Sequence, residues 1–177
     1  MTKRKIAIIG LGKIAQDQHL PVIDKSDSFE LVAGTSQRGL THRGVPTFKT
    51  PAEMYRAIPD LEAVSICTPP DVRHGFAIEA LDAGKDLLLE KPTAATLAEA
   101  ADIAAHARKR GRIIFATWHS QFNPAVDEAK ALLAGAGVKS LRIEWREDVR
   151  KWHPGQDWVW EPGGFGVFDP GINALSI

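Results

Sequence analysis

The chain has 177 residues, with 22 Lys plus Arg balanced by 22 Asp plus Glu, 44% hydrophobic residues, 15 Gly and 11 Pro. That composition excludes a disordered or collagen-like chain. A formal net charge of zero leaves no bulk field to hold nucleic acid or an anionic membrane, so the expected partner is a small molecule.

At the amino terminus Lys3, Arg4 and Lys5 precede an apolar run, Ile6 to Ile9, that stops at Gly10 and is too short for a secretory core. No apolar stretch is long enough to span a bilayer. The single cysteine, Cys67, rules out an internal disulfide and fits a reducing compartment, so the expected location is the cytoplasm.

Residues 5–9 read as a first strand, and Gly10-Leu11-Gly12-Lys13-Ile14-Ala15 follows it directly and opens a helix. This is the G-x-G-x-x-G/A arrangement in its meaningful context. Gly10 permits the tight turn, Gly12 removes the side chain that would block a pyrophosphate, and Ala15 keeps the helix close to the strand. The first helical N–H groups, around Lys13 and Ile14, then face the anion. A second strand at 30–33 leads to Gly34-Thr35-Ser36-Gln37-Arg38, where a carboxylate would bond the ribose 2′-hydroxyl of NAD. No acid is present. Ser36 offers a hydroxyl, Gln37 follows, and Arg38 is a fixed cation suited to a 2′-phosphate, so NADP is the expected cofactor, with use of NAD left open. Arg38 as a solvated loop residue is the alternative.

Further short apolar runs at 45–48, 63–67, 86–89 and 112–116 alternate with helix-like segments, the pattern of a parallel sheet with crossover helices. Thr50-Pro51-Ala52-Glu53 and Thr96-Leu97-Ala98-Glu99 both read as capping boxes at helix starts. After Thr96, the residues Leu97, Ala100, Ala104 and Ala107 trace one helical face, and Arg108, Lys109 and Arg110 complement the helix dipole before Gly111. Lys91 follows the fifth strand at the edge where open α/β sheets bind ligands, and Pro92 stiffens the backbone that aims it.

Beyond residue 120 the composition changes: all five tryptophans lie in the final 60 residues. The expected domains are residues 1–120 and 121–177. The second begins with a helix at 123–134, a break at Gly135 and Gly137, and a strand at 140–145. Glu147 is in phase with Leu141, Ile143 and Trp145, so a continuing strand points its carboxylate toward the apolar side, where it needs a polar partner. A single strand with two open edges is not a stable layer. The second domain is therefore expected to be incomplete in this chain or completed by another.

Two further strings, Ser65-Ile66-Cys67-Thr68-Pro69-Pro70 followed by His74, and Ala83-Gly84-Lys85 leading to Glu90-Lys91-Pro92, make the chain similar to the Gfo/Idh/MocA oxidoreductases. Within them it resembles the bacterial aldose 1-dehydrogenases acting on L-arabinose and D-galactose, through Ala116-Thr117-Trp118-His119-Ser120, Trp152-His153-Pro154-Gly155-Gln156 and the stretch from Gly166 to Leu175. The resemblance implies an α/β Rossmann domain with a doubly wound parallel sheet, then an α+β substrate domain whose open sheet also serves homo-oligomers. Members are longer than this chain. It implies cofactor contacts at Cys67, Thr68, Pro69, His74, Glu90 and Lys91, and a sugar pocket that includes Lys91, His119, Glu147, Trp152, His153, Asp169 and Asn173.

It also implies hydride transfer from the anomeric carbon of an aldopyranose, giving the aldonolactone, without a metal. Lys91, Asp169 and Asn173 are the catalytic candidates. Many relatives carry a histidine at the second position of the Asp169/Asn173 pair. Asn173 does not accept a proton at neutral pH, so the base role moves to Asp169, assisted by Lys91. Asp169 before Pro170 also reads as a helix N-cap, which would commit it to backbone amides. A non-catalytic dinucleotide or sugar-binding regulator, or an inactive relative, is the competing reading.

Overall fold

The computed structural model describes residues 2–161 and 171–173. The chain divides into two compact units, Met1–Thr117 and Trp118–Ile177. In the first, six strands form one parallel sheet: β1 (Arg4–Ile9), β2 (Phe29–Thr35), β3 (Thr47–Phe48), β4 (Ala63–Ile66), β5 (Asp86–Leu89) and β6 (Ile114–Ala116). Their order is β3-β2-β1-β4-β5-β6, the doubly wound arrangement. A π-turn (Ala15–His19) runs into α1 (Leu20–Asp24), and α2 (Pro51–Ala57), α3 (Pro70–Asp82) and α4 (Leu97–Arg110) make the later crossovers.

Ile6, Ala7, Ile8 and Ile9 are all buried because the central strand is covered on both faces. Ala7 and Ile9, with Val64, Ile66, Leu87 and Leu89, pack against Met54 of α2, Leu81 of α3 and Ile103 of α4. Ile6 and Ile8 pack on the other side with Ala15, Leu20 and Ile23. Each fully buried aliphatic side chain contributes about 1.5–3 kcal/mol, so this two-sided core dominates the stability of the unit. Within it, an apolar groove of about 500 Å³ lined by Ile6, Val22, Phe29, Leu88 and Phe115 lies beside α1.

Both capping boxes form: Glu53 N–H donates to Thr50 Oγ1 at 3.3 Å and Glu99 N–H to Thr96 Oγ1 at 3.2 Å, with the glutamates reaching back to the cap amides. Gly111 closes α4 in the left-handed region at φ 62°. Leu97, however, is 91% exposed, and Ile103 and Ala107 carry the buried face.

The second unit contains a 3₁₀ turn (His119–Phe122), α5 (Pro124–Leu133), α6 (Val149–Trp152), a 3₁₀ turn (Asp157–Trp160) and a helical turn at 171–173. The expected helix at 123–134 is α5, but the strand expected at 140–145 does not form, and Leu141, Ile143 and Trp145 are exposed. Alternating residues without a neighbour to pair their backbone groups do not make a ladder.

Candidate active site

The sheet register sets the site. Ile9 is opposite Thr35 and Ile66, Thr35 opposite Phe48, Ile66 opposite Leu89, and Leu89 opposite Ala116. The strands therefore end in one row at the carboxyl edge. Pairing extends one residue further: Cys67 N–H donates to Ile9 O at 2.9 Å, Ser36 N–H to Phe48 O at 3.0 Å, and Glu90 N–H to Ile66 O at 3.3 Å. Gly10, Ser36, Cys67 and Glu90 thus stand side by side. The chain leaves β1 toward β2 on one side and returns at β4 on the other, which is where open α/β sheets bind ligands.

Gly10 has φ 91°, and a Cβ there would sit 3.1 Å from Thr68 Cγ2 and 3.3 Å from Thr68 N. Backbone strain and crowding both exclude a side chain. A Cβ at Gly12 would meet nothing within 4 Å, so the space beside the first helical turn is open, and any side chain at 12 would fill it. Thr68 Oγ1 is buried without a hydrogen-bond partner among the described residues. An open cradle at a helix start, with an unused hydroxyl across from Gly10, fits a dinucleotide diphosphate.

At the β2 edge Ser36 Oγ accepts Leu40 N–H at 3.0 Å, which shapes the following turn and leaves the hydroxyl proton free to donate. Gln37 and Arg38 are exposed, and Arg38 makes no ion pair among the described residues. Lys13 pairs with Asp17 one turn on, and Ile14 is partly exposed beside it. His74 Nε2 lies 2.8 Å from Asp102 Oδ2 of α4, so one imidazole nitrogen is already engaged between two helices.

The loop after β5 carries Glu90, Lys91 and Pro92, with the Lys91–Pro92 peptide in the cis form. Lys91 N–H donates to Glu90 Oε2 at 3.1 Å. Arg73 of α3, 3% exposed, donates to the carbonyl of Glu90 at 2.5 Å and also to those of Pro92 and Thr68. One guanidinium therefore ties the loop after β4 to the loop after β5.

A second buried network reaches the same loop. His19, 8% exposed, has Nε2 2.8 Å from Glu90 Oε1 and Nδ1 2.9 Å from Ser65 Oγ, which lies 3.6 Å from Cys67 Sγ. Burial lowers the His19 pKa, but its contacts with Cys67 and Glu90 raise it by more, to about 10. Burial pushes Glu90 up, and the His19 hydrogen bond and charge pull it further down, below the usual 4.5. The pair is imidazolium and carboxylate, with Nε2 donating to Glu90 and Nδ1 to Ser65. Its stabilisation is present in full above 4.5 and below 6.5, the ordinary values of the two groups. It fades as pH rises toward about 10 or falls through the depressed Glu90 value.

Sequence reasoning left out His19, Ser65 and Arg73 as site residues. The signal was present for two of them. His19 shares the apolar face of Ala15, Leu20 and Ile23, and Arg73 is in phase with buried Pro70, Ala77 and Leu81. A polar side chain on a buried helical face needs a partner.

In the second unit, His119 is exposed at the start of its 3₁₀ turn. Glu147 is exposed and accepts Trp145 Nε1–H at 2.9 Å, so it does not point to an apolar side as expected; without the strand, nothing fixes the alternation. Trp152 ends α6 with Lys151 Nζ 4.9 Å from its ring centroid. His153 Nδ1 lies 3.0 Å from Gln156 Oε1, and Asn173 is buried. Asp169 lies outside the described residues.

The oxidoreductase family described as GFO_IDH_MocA, with an NAD-binding Rossmann fold, matches residues 4–117. Galactose 1-dehydrogenase of Pseudomonas fluorescens is 43% identical over 98% of this chain and 55% of its own length. The crystal structure of a D-galactose-1-dehydrogenase protein from Rhizobium etli is 53% identical with a TM-score of 0.89, over 99% of this chain and 57% of that one. A 3-ketoreductase from Actinomadura kijaniata, solved with NADP and TDP-benzene, is 25% identical with a TM-score of 0.67, over 76% of this chain and 43% of that one. The chain spans about half the length of the curated relatives it matches. With its doubly wound sheet, its glycine loop and the Glu90-Lys91-Pro92 edge, the chain belongs to the Gfo/Idh/MocA oxidoreductase family.

Proposed function

We propose that this protein is an NADP-preferring aldose 1-dehydrogenase of the cytoplasm, oxidising L-arabinose or D-galactose at the anomeric carbon to the aldonolactone. The observation that carries the proposal is one sheet edge that holds both the open cradle at Gly12 and, two strands away, the loop of Lys91. The likeness to two galactose 1-dehydrogenases supports the substrate class.

When bound, the dinucleotide supplies the ring that accepts the C1 hydride. The chain's own residues do the rest. Gly10, Gly12 and the first helical amides hold the diphosphate, Thr68 donates its free hydroxyl, and Ser36 and Arg38 take the ribose phosphate. Lys91 orients O1 of the sugar and assists Asp169 in moving its proton, which Asp169 takes as the C1–H bond breaks and the C1=O bond forms. Asn173, His119, Trp152 and His153 grip the remaining hydroxyls and the flat C–H face of the sugar.

The test is absorbance at the reduced-nicotinamide band with purified protein, NADP or NAD, and a panel of aldoses. Turnover of L-arabinose or D-galactose is the expected result. Dinucleotide binding without turnover of any aldose would replace the enzyme with a regulator. For the cofactor, Arg38→Ala is expected to weaken NADP about tenfold or more, the worth of a charge-assisted bond to phosphate, while leaving NAD nearly unchanged. Equal weakening of both in a binding titration would remove the 2′-phosphate contact.

A further inference from the structure

We propose that His19 is a positioning residue for Lys91, acting through Glu90. Ser65 on β4 anchors the imidazole at Nδ1, Nε2 holds one oxygen of the Glu90 carboxylate, and the other oxygen of that carboxylate receives the Lys91 N–H. This role rests on Lys91 being the amine of the proposed reaction.

Hydroxyl, imidazole and carboxylate in this order form the triad of acyl-transfer enzymes. Ser65 is 0% exposed and sits inside the sheet between Ile8 and Leu88, so no substrate reaches its Oγ. The network transmits position, not nucleophilicity. Glu90 is the last residue held by the ladder, through its N–H to Ile66 O, and Lys91 departs from it. Both carboxylate oxygens of Glu90 are engaged, one by the imidazole and one by the Lys91 amide, so the rotamer of Glu90 and the direction of Lys91 are set together.

The π-turn explains how His19 reaches that far. Its wider turn interrupts the helix that begins at the phosphate cradle and ends in α1, and such turns recur at functional sites. His19 closes the turn and points inward, beside buried Ala15 and Leu20. A single helical segment thus carries both the cradle at its start and the imidazole that fixes the Lys91 loop. The distance between the cradle and the Lys91 loop is then set by this segment, and a displacement of about 1 Å costs on the order of a hundredfold in rate.

The experiment is His19→Gln in the purified protein, read in two ways. Amide hydrogen exchange at Lys91 should accelerate by about tenfold or more, since its acceptor loses its support. With an aldose that is turned over, kcat should fall about tenfold to a hundredfold while KM for the sugar and Kd for NADP stay within about threefold. Ser65→Ala removes only the anchor and should show the same pattern at smaller amplitude; it decides the matter if His19→Gln does not fold. Unchanged Lys91 exchange in the folded variants, or faster exchange with unchanged kcat, would overturn the role. If the wild-type protein turns over no aldose, the proposed function fails, and Lys91 exchange alone still decides whether His19 positions it.

Discussion

Replacing Lys91 by Met is expected to lower kcat by about two to four orders of magnitude, the range over which a positioned proton-transfer group acts. NADP affinity should stay within about threefold, because the cradle depends on Gly10, Gly12 and Thr68 and not on the ammonium group. Met keeps the length and the apolar stem of lysine, so lost packing does not account for the effect. Lys91→Arg keeps a cation at the same edge but does not release a proton near neutral pH, and the guanidinium is broader than an ammonium. It is expected to recover sugar affinity without recovering kcat. Steady-state kinetics over the aldose panel, with dinucleotide titration of each variant, separates these effects. A Lys91→Met enzyme that retains most of its kcat would leave Asp169 as the sole proton-handling group and reduce Lys91 to a loop residue.

The parts of this architecture that were legible from sequence are those governed by short-range chemistry. β5 lies at residues 86–89 as its apolar run indicates, both Thr-to-Glu capping boxes form, and Gly111 ends α4. Each depends on residues within a few positions of one another. The glycine loop was legible for the same reason: strand, turn and helix start are contiguous. What escaped was long-range. His19 meets Glu90 across 71 residues, and Arg73 reaches carbonyls of loops on two strands, so neither partner is visible in a local window. The second unit fails differently. Leu141, Ile143 and Trp145 alternate as a strand should, yet alternation describes one face only, and a strand exists when a neighbour completes its hydrogen bonds. Without that strand Glu147 is exposed and accepts the Trp145 Nε1–H instead.

Arg73→Met is expected to destabilise the Rossmann unit by roughly 3–5 kcal/mol, because it strips several buried carbonyls of their donor at once and each unsatisfied acceptor costs about 1–3 kcal/mol. The carbonyls belong to Thr68, Glu90 and Pro92, in the two loops that flank the cradle. Lysine is a poor substitute: its ammonium is a single point, whereas the planar fork of arginine addresses separated acceptors. Arg73→Lys should therefore recover only part of the loss. Far-UV circular dichroism during urea unfolding is the suitable probe, since every tryptophan lies beyond Thr117 and fluorescence would report the other unit. The expected signature is a lower midpoint at unchanged slope, with bound NADP restoring part of the shift by mass action. NADP affinity itself should fall, because Thr68 and the Lys91 loop lose their common tether. An unchanged midpoint in Arg73→Met would show that water replaces the guanidinium and that the two loops hold their positions without it.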